Sequence, residues 1–264
     1  MNNKSKIQAA ARQLVPMDDI MFRKMAEDRL FCQEILRVIM KDPDLEVIQN
    51  IPQRSVTNLK GRSIILDAYC KLGDGREINI EVQKANDDDH QKRVRYNEAL
   101  LTANITEPGT KFENVPNVCI IFISRFDVFK DGLPLYHVER VVKETGKTVY
   151  NGFEEIYVNS AVNDGSDISE LMEVFTDGAS YSDKFPRTSE GKRRYRETEE
   201  GQQIMCDIME KLAAEAREEG KESSKLDDIR NVMASFGVSL EKAMDSLKIP
   251  DEQRTLFASI IERG

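Results

Sequence analysis

The sequence predicts an α/β fold followed by a helical C-terminal region. The runs 64–72 and 76–84 flank Gly73-Asp74-Gly75, and a Gly-containing loop between two alternating runs indicates a β-hairpin. The apolar run 118–126 has the length of a strand and predicts one that is buried on both faces. Helical spacing before the hairpin and after it gives the order helix, hairpin, helix, buried strand. The 264 residues are 40% hydrophobic, which is enough to bury a core.

Two helices are predicted before the hairpin. The first follows Pro16, and either Asp18 or Asp19 fits its N-cap position. The second covers about 29–40, carries an apolar stripe and ends before Asp42-Pro43. The segment 45–53 is then predicted to be a short strand that leads into the hairpin.

The chain after the hairpin changes character near Asp177. Before that point, the acidic run 86–89 is a helix-start signal for a helix over 91–104. After it, Gly, Ser and Pro mark a loop, and helical spacing predicts helices over 201–219, 225–236, 239–247 and 251–261. Gly237 would end the second of these helices, and Ser239 would cap the third. We therefore predict two parts, 1–176 and 177–264.

The length of the hairpin loop sets which residues lie opposite each other. With a three-residue loop, Leu72 pairs with Arg76, and the same register places Asp67 opposite Glu81. One face then carries Leu66, Ala68, Cys70, Ile78, Ile80 and Val82. The other carries Ile65, Asp67, Tyr69, Asn79, Glu81 and Gln83. Two carboxylates with Cβ atoms roughly 5 Å apart repel each other unless a cation or a shared proton lies between them.

Two alternatives to this paired site are open. A two-residue turn at Asp74-Gly75 would shift the register by one and place Asp67 and Glu81 on opposite faces. We favour the three-residue loop because only that loop makes one face wholly apolar. The two acids could also be ordinary polar residues on a solvated face of the sheet.

Composition limits the kind of site that the chain can build. Its cysteines are scattered without a Cys-x-x-Cys pair, so neither a disulfide framework nor a zinc site is indicated. Only two histidines are present, which leaves carboxylates and therefore a hard cation, Mg²⁺ or Mn²⁺, as the expected metal. No apolar run approaches the ~20 residues of a membrane span, and the N-terminus lacks the pattern of a signal peptide. We expect a cytoplasmic protein with no membrane partner.

Charge also limits the expected partners. A net charge of −9 disfavours non-specific adhesion to nucleic acid, because Lys and Arg supply most of that affinity by neutralising phosphates. A chain with this negative net charge can still carry a local cluster of basic residues that binds nucleic acid. The two candidate clusters are Lys92, Arg93 and Arg95 after the hairpin, and Lys184, Arg187, Lys192, Arg193, Arg194 and Arg196 later in the chain. Either cluster could instead be an ordinary solvated surface.

Four motifs in fixed order carry a family resemblance. They occupy 61–69, 78–83, 92–96 and 121–127, and the second contains Glu81-Val82-Gln83. Together they resemble the PD-(D/E)XK nuclease family transposases, which are related to the Rpn recombination-promoting nucleases. The resemblance covers roughly 15–175. It implies a restriction-endonuclease-like αβββαβ core with a mixed sheet. One departure from the superfamily's commonest pattern is that Gln83 stands where Lys is usual.

The resemblance implies a Mg²⁺-dependent (or Mn²⁺-dependent) endonuclease that acts on DNA and is associated with mobile elements or recombination. Its catalytic residues would be Asp67, Glu81 and Gln83. The metal ligands would be Asp67, Glu81 and the backbone carbonyl of Val82, which belongs to the same strand. Gln83 would orient the attacking water. The residues expected to contact substrate are Arg93, Arg95 and Tyr96, and Asp19 would be an auxiliary acid if it is not simply a capping residue.

Two other functions fit the same residues. The fold could be a catalytically inactive module that binds nucleic acid without cutting it. The chain could instead be a protein-interaction or oligomerisation factor that acts through its C-terminal helices, with the hairpin serving only structure. Whichever of these functions the chain has, its C-terminal helices could join copies of it into a homo-oligomer.

Overall fold

The computed structural model describes residues 3–58, 61–86 and 89–263. The chain divides between Cys206 and Asp207 into two compact units. The first unit begins with helices α1 (Asn3–Ala11), α2 (Asp19–Met25) and α3 (Arg29–Ile39), then strands β1 (Val47–Val56), β2 (Ile64–Leu72) and β3 (Glu77–Gln83). It continues with α4 (His90–Ile105), a 3-10 turn (Phe112–Asn114), β4 (Val118–Ser124), β5 (Leu135–Val138), β6 (Arg140–Val142), β7 (Lys147–Val149), β8 (Phe153–Asn159), α5 (Asp167–Thr176) and α6 (Pro186–Glu197).

A mixed sheet organises the first unit. In the described part of the chain it has six strands in the order β1-β2-β3-β4-β8-β5, and β6 pairs separately with β7. Strand β3 is antiparallel to β2 and parallel to β4, and β4 is parallel to β8. The α/β fold with a mixed sheet is confirmed, and the buried strand predicted over 118–126 is β4, whose residues are all buried.

The hairpin between β2 and β3 has the predicted register. Ala68 pairs with Ile80 and Cys70 with Ile78, as a three-residue loop requires. Gly75 in that loop has a φ of 91°, which a glycine adopts without a Cβ clash. The two-residue turn is therefore excluded. The solvated-face alternative is also excluded, because Asp67 and Glu81 are 5% and 6% exposed.

One face assignment in the hairpin is wrong. The sequence placed Leu66 with Ala68 and Cys70, but Leu66 packs in the same buried cluster as Tyr69. The β2–β3 pairing ends at Ala68 and Ile80, and on the other side of β2 the neighbouring strand is irregular at Gln53, whose φ is 53° and which lies between the partners of Ala68 and Leu66. Side chains near Asp67 are consequently not arranged as in a regular ladder.

Helices cover both faces of the sheet. Val94 and Leu101 of α4 pack on Tyr69, Ile120 and Phe122. On the other face, Cys70 lies next to Cys32 of α3. There the rings of Phe22, Phe31 and Phe175, from α2, α3 and α5, have centroids 5.9 to 6.3 Å apart. Asp89 caps α4 by accepting from the Lys92 N–H, whereas Asp87 and Asp88 of the predicted helix-start signal lie outside the described residues.

Helix α6 belongs to the first unit, so the observed division lies later than the predicted boundary at 176/177. Glu34 of α3 caps its start by accepting from the backbone N–H groups of Arg187 and Thr188 at 3.0 and 2.8 Å. Lys192, near its middle, is fully buried and donates to the carbonyls of Val174, Asp177 and Ser180. These long-range bonds, which composition could not reveal, join α6 to α3 and α5.

The basic cluster of 184–196 is therefore mostly engaged within the protein. Burial lowers the pKa of Lys192 to about 8, and its ammonium faces carbonyl oxygens in place of solvent. Arg196 donates to the carbonyl of Leu14, and Lys184 pairs with Asp167. The guanidinium of Arg193 lies over the ring of Tyr181. These contacts favour a structural role for the cluster over contact with nucleic acid.

The second unit is helical, as predicted. Helix α7 (Glu199–Phe236) continues from the first unit, and α8 (Leu240–Ser246) and α9 (Asp251–Arg263) follow. The two helices predicted over 201–219 and 225–236 are one, because a glycine such as Gly220 weakens a helix by only about 1 kcal/mol. Gly237 ends α7 with a φ of 60°, and Ser239 caps α8. No helix among the described residues combines the length and apolarity that crossing a membrane requires.

Lys192→Met tests whether α6 completes the first unit. We expect the free energy of unfolding to fall by about 2–4 kcal/mol, because buried carbonyl acceptors lose a charged donor. Urea denaturation of the full chain measures this loss. Lys211→Met is the matched control, since that side chain is 77% exposed. An equal effect of the two substitutions would contradict the assigned role.

Candidate active site

The site lies where the paired part of the hairpin ends. Beyond Ala68 and Ile80 the acidic side chains bind backbone groups directly. The Val82 N–H donates to Asp67 Oδ2 at 3.0 Å, and the Asp67 N–H donates to Glu81 Oε1 at 3.4 Å. The two predicted carboxylates are thus held next to each other on interior strands of the sheet. The two carboxylates are neighbours as predicted, although side-chain bonds to backbone N–H groups hold them there in place of a regular ladder pair.

Glu81 is held by a neighbour on its own strand. Asn79 is fully buried, and its Nδ2 donates to Glu81 Oε1 at 2.9 Å. Burial, followed by the charge of Asp67, raises the pKa of Glu81 to about 8, while the Asn79 bond and the charge of Arg93 act in the opposite direction. The sequence placed Asn79 on the polar face but gave it no role. Its position two residues before Glu81 is the signal that could have identified it.

Asp19 brings a third carboxylate to the site. Asp18 occupies the N-cap position of α2, and Asp19 is the first helical residue, so the capping interpretation does not apply to Asp19. Half of the Asp19 side chain is exposed, but neighbouring protein atoms remove part of the water around its carboxylate. This desolvation, together with the charge of Asp67, raises the pKa of Asp19 to about 6. Asp19 and Asp67 therefore act on each other as like charges.

Arg23 lies between these two acids. Its Nε is 2.7 Å from Asp19 Oδ1, one turn earlier on α2, and its Nη2 is 2.9 Å from Asp67 Oδ1. The sequence predicted a helix here and named Asp19 but gave Arg23 no role. The Asp-Arg spacing of four residues is the signal that could have identified it, because such residues share one helix face.

The residues predicted to contact substrate occupy different places. Arg93 Nη1 donates to Gln83 Oε1 at 2.9 Å, and its charge acts on both Asp19 and Glu81. Arg95 is exposed, and the carboxylate that its positive charge stabilises is that of Asp89 instead. Tyr96 donates to the carbonyl of Arg62 and so ties α4 to the segment before β2. The structure brings Arg93 and Gln83 to the acids but does not bring Arg95 or Tyr96 there.

Oxygen donors dominate the site. Within the described ranges, no three or more His, Cys, Asp or Glu side chains are arranged as a ready-made metal centre. The proposed ligand set uses only two carboxylates, from Asp67 and Glu81, with a backbone carbonyl as the third donor. Crowded carboxylates, among which those of Glu81 and Asp19 have raised pKa values, match a hard divalent cation in both ligand type and charge. The donor chemistry therefore fits such an ion.

The fold and the paired acids at a sheet hairpin define a nuclease-like protein of the PD-(D/E)XK class. The family model for PD-(D/E)XK nuclease family transposases matches residues 26–169, which is more than half of the chain. The chain belongs to this family, whose superfamily of nucleases typically uses divalent metals. Asp19 and Arg23 precede the matched segment. No match was found among curated proteins or among solved structures.

The raised pKa of Glu81 predicts a stability change with pH in the absence of metal. The folded protein holds this proton up to about pH 8, whereas the unfolded chain releases it near 4.5. Folding therefore binds a proton between these values, and stability falls as pH rises through this window. Asp19 adds the same effect between 3.8 and about 6.

Thermal melts in EDTA at pH 5.5 and pH 8 measure this effect. We expect Tm of the native chain to be several degrees lower at pH 8. Glu81→Gln cannot titrate and should remove much of the difference. The same pH dependence in both proteins would show that another group causes it.

Proposed function

We propose that the protein is a metal-dependent DNA endonuclease that hydrolyses phosphodiester bonds in mobile elements or recombination. The observation that carries this proposal is the buried pair of Asp67 and Glu81, held side by side by backbone bonds of β2 and β3. Membership in a family of nuclease-type transposases supports DNA as the substrate and mobile elements or recombination as the process. Pairing of copies through the C-terminal helices is part of the proposal, supported by the exposed Phe236, Leu256 and Ile260.

Each site residue has a proposed role. Asp67, Glu81 and the carbonyl of Val82 would hold Mg²⁺ or Mn²⁺, which lowers the pKa of bound water and stabilises charge on the phosphate. Asn79 and the Asp67 N–H orient Glu81. Asp19 is the auxiliary acid, since it lies close enough to Asp67 for the charge of Asp67 to raise its pKa.

Gln83 and Arg93 would act together on the substrate. Gln83 can bind water through its amide but supplies no positive charge. Its Oε1 accepts from Arg93, which places a guanidinium beside the site. A guanidinium binds phosphate oxygens with two parallel hydrogen bonds, so Arg93 can supply the charge that Lys gives in the superfamily's commoner pattern.

The two remaining substrate candidates act farther from the acids. Arg95 is exposed on α4 and can meet the DNA backbone away from the acids. The Tyr96 hydroxyl also accepts from Asn58 Nδ2 at 3.0 Å, which fastens the segment before β2 to α4. We propose that Tyr96 shapes the surface on which DNA lies.

Asp67→Asn tests the function. We expect Mg²⁺-dependent or Mn²⁺-dependent cleavage of duplex DNA to be abolished, because the change removes a hard ligand while keeping the side chain's size. Folding should persist, since the substitution also relieves repulsion with Asp19 and Glu81. Gel assays of DNA cleavage and circular dichroism measure the two outcomes.

Asp131→Asn is the matched control for this variant, because Asp131 is an exposed aspartate on the loop before β5. It should cut DNA at the native rate. Undiminished cleavage by Asp67→Asn would refute the site. DNA binding without cleavage in the native chain, with either metal supplied, would favour the catalytically inactive binding module.

Substitutions at Gln83 test its partnership with Arg93. Gln83→Leu should lower the cleavage rate by about 100-fold, the scale on which one positioned group acts, because Arg93 loses its acceptor. Gln83→Lys should retain more activity, since Lys brings a positive charge to the same face. Single-turnover cleavage rates measure both.

Mn²⁺ affinity is the control measurement for the Gln83 variants. Neither substitution alters the carboxylates, so both should bind the ion as the native chain does. Gln91→Leu changes an exposed glutamine at the start of α4 and should leave the rate unchanged. Equal rates in all four proteins would mean that Gln83 is only a strand residue.

A further inference from the structure

The guanidinium of Arg23 neutralises the acidic site from within the protein. Its Nε and Nη2 both donate to a single oxygen, Asp67 Oδ1, at 3.1 and 2.9 Å. The same Nε lies 2.7 Å from Asp19 Oδ1. One cation thus serves two of the three carboxylates.

The other oxygen of Asp67 is already engaged. Oδ2 accepts from the Val82 N–H, and the side chain is only 7% exposed. Backbone bonding therefore fixes the carboxylate, and Oδ1 is the oxygen left for a cation. Arg23 occupies that oxygen with both of its donating nitrogens.

Two cations beside one buried carboxylate would repel each other. A divalent ion at Asp67 carries twice the charge of the guanidinium and needs a close oxygen contact. Arg23 is able to withdraw, because its side chain is 25% exposed and Asp19 is 50% exposed. The pairing with Asp19 on the same helix would keep the withdrawn guanidinium at the rim of the site.

We infer that Arg23 is an internal counter-ion of Asp67 that competes with the divalent cation for this carboxylate. In the absence of metal it keeps the acids together in the folded state. When an ion binds, Arg23 is released towards the rim and becomes available to a phosphate of the substrate. This last step rests on the proposed nuclease function, whereas the competition does not.

Calorimetric titration with Mn²⁺ alone tests the competition on the full chain. Arg23→Met should bind Mn²⁺ about tenfold more tightly, because the ion no longer displaces the charge-assisted hydrogen bonds between Arg23 and Asp67. Arg230→Met is the matched control, since Arg230 pairs with Asp227 on its own helix at 3.4 Å and should leave the affinity unchanged. Equal or weaker binding by Arg23→Met overturns the inference.

Thermal melts give a second readout that needs no DNA. In EDTA, Arg23→Met should lower Tm by several degrees, and saturating Mn²⁺ should restore it. The loss should be smaller when Asp67→Asn is also present, because the counter-ion then has less charge to balance. An equal loss with and without Asp67→Asn overturns the counter-ion role.

The combined results separate this inference from the proposed function. Competition between Arg23 and Mn²⁺ in a chain that cuts no DNA would support the inference and refute the nuclease. DNA cleavage together with an unchanged Mn²⁺ affinity in Arg23→Met would support the nuclease and refute the inference.

Discussion

Carboxyl groups are concentrated at the buried end of the β2–β3 hairpin, and the surrounding structure is arranged to tolerate them. Asp67 and Glu81 lie on adjacent interior strands, and Asp19 reaches them from α2. Like charges with little access to water are costly unless hydrogen bonds or cations compensate. Backbone N–H groups, Asn79 and Arg23 supply that compensation here.

The sheet order makes this arrangement possible. Strand β3 pairs with β2 on one side and β4 on the other, and helices cover both faces of the sheet, so its residues up to Val82 are buried. The hairpin ladder stops before the acids, which frees the Val82 N–H to bind a carboxylate in place of a carbonyl. Helices α2 and α4 then bring Arg23 and Arg93 to the same end of the sheet. Rigid backbone therefore positions the acids, while longer side chains supply the positive charge.

Helix α6 supports this unit from a part of the chain that looked like the start of a separate region. Its buried Lys192 binds carbonyls at the end of α5, and its first turn is capped by Glu34 of α3. A charged side chain is rarely buried without such partners. The basic composition of 184–196 therefore reflects internal bonds as well as surface charge.

The sequence by itself determined the α/β class, the hairpin register and the closeness of Asp67 to Glu81. Loop length and strand alternation are local rules, and they remain valid wherever the ladder is regular. Only the tertiary structure decided that Asp19 lies beside Asp67, that Tyr96 binds a backbone carbonyl, and that Lys192 is buried. These outcomes depend on groups far apart in the chain, such as Arg23 and Asp67, and on how packing sets their access to water. No local pattern encodes that access, because it exists only once the helices have closed over the sheet.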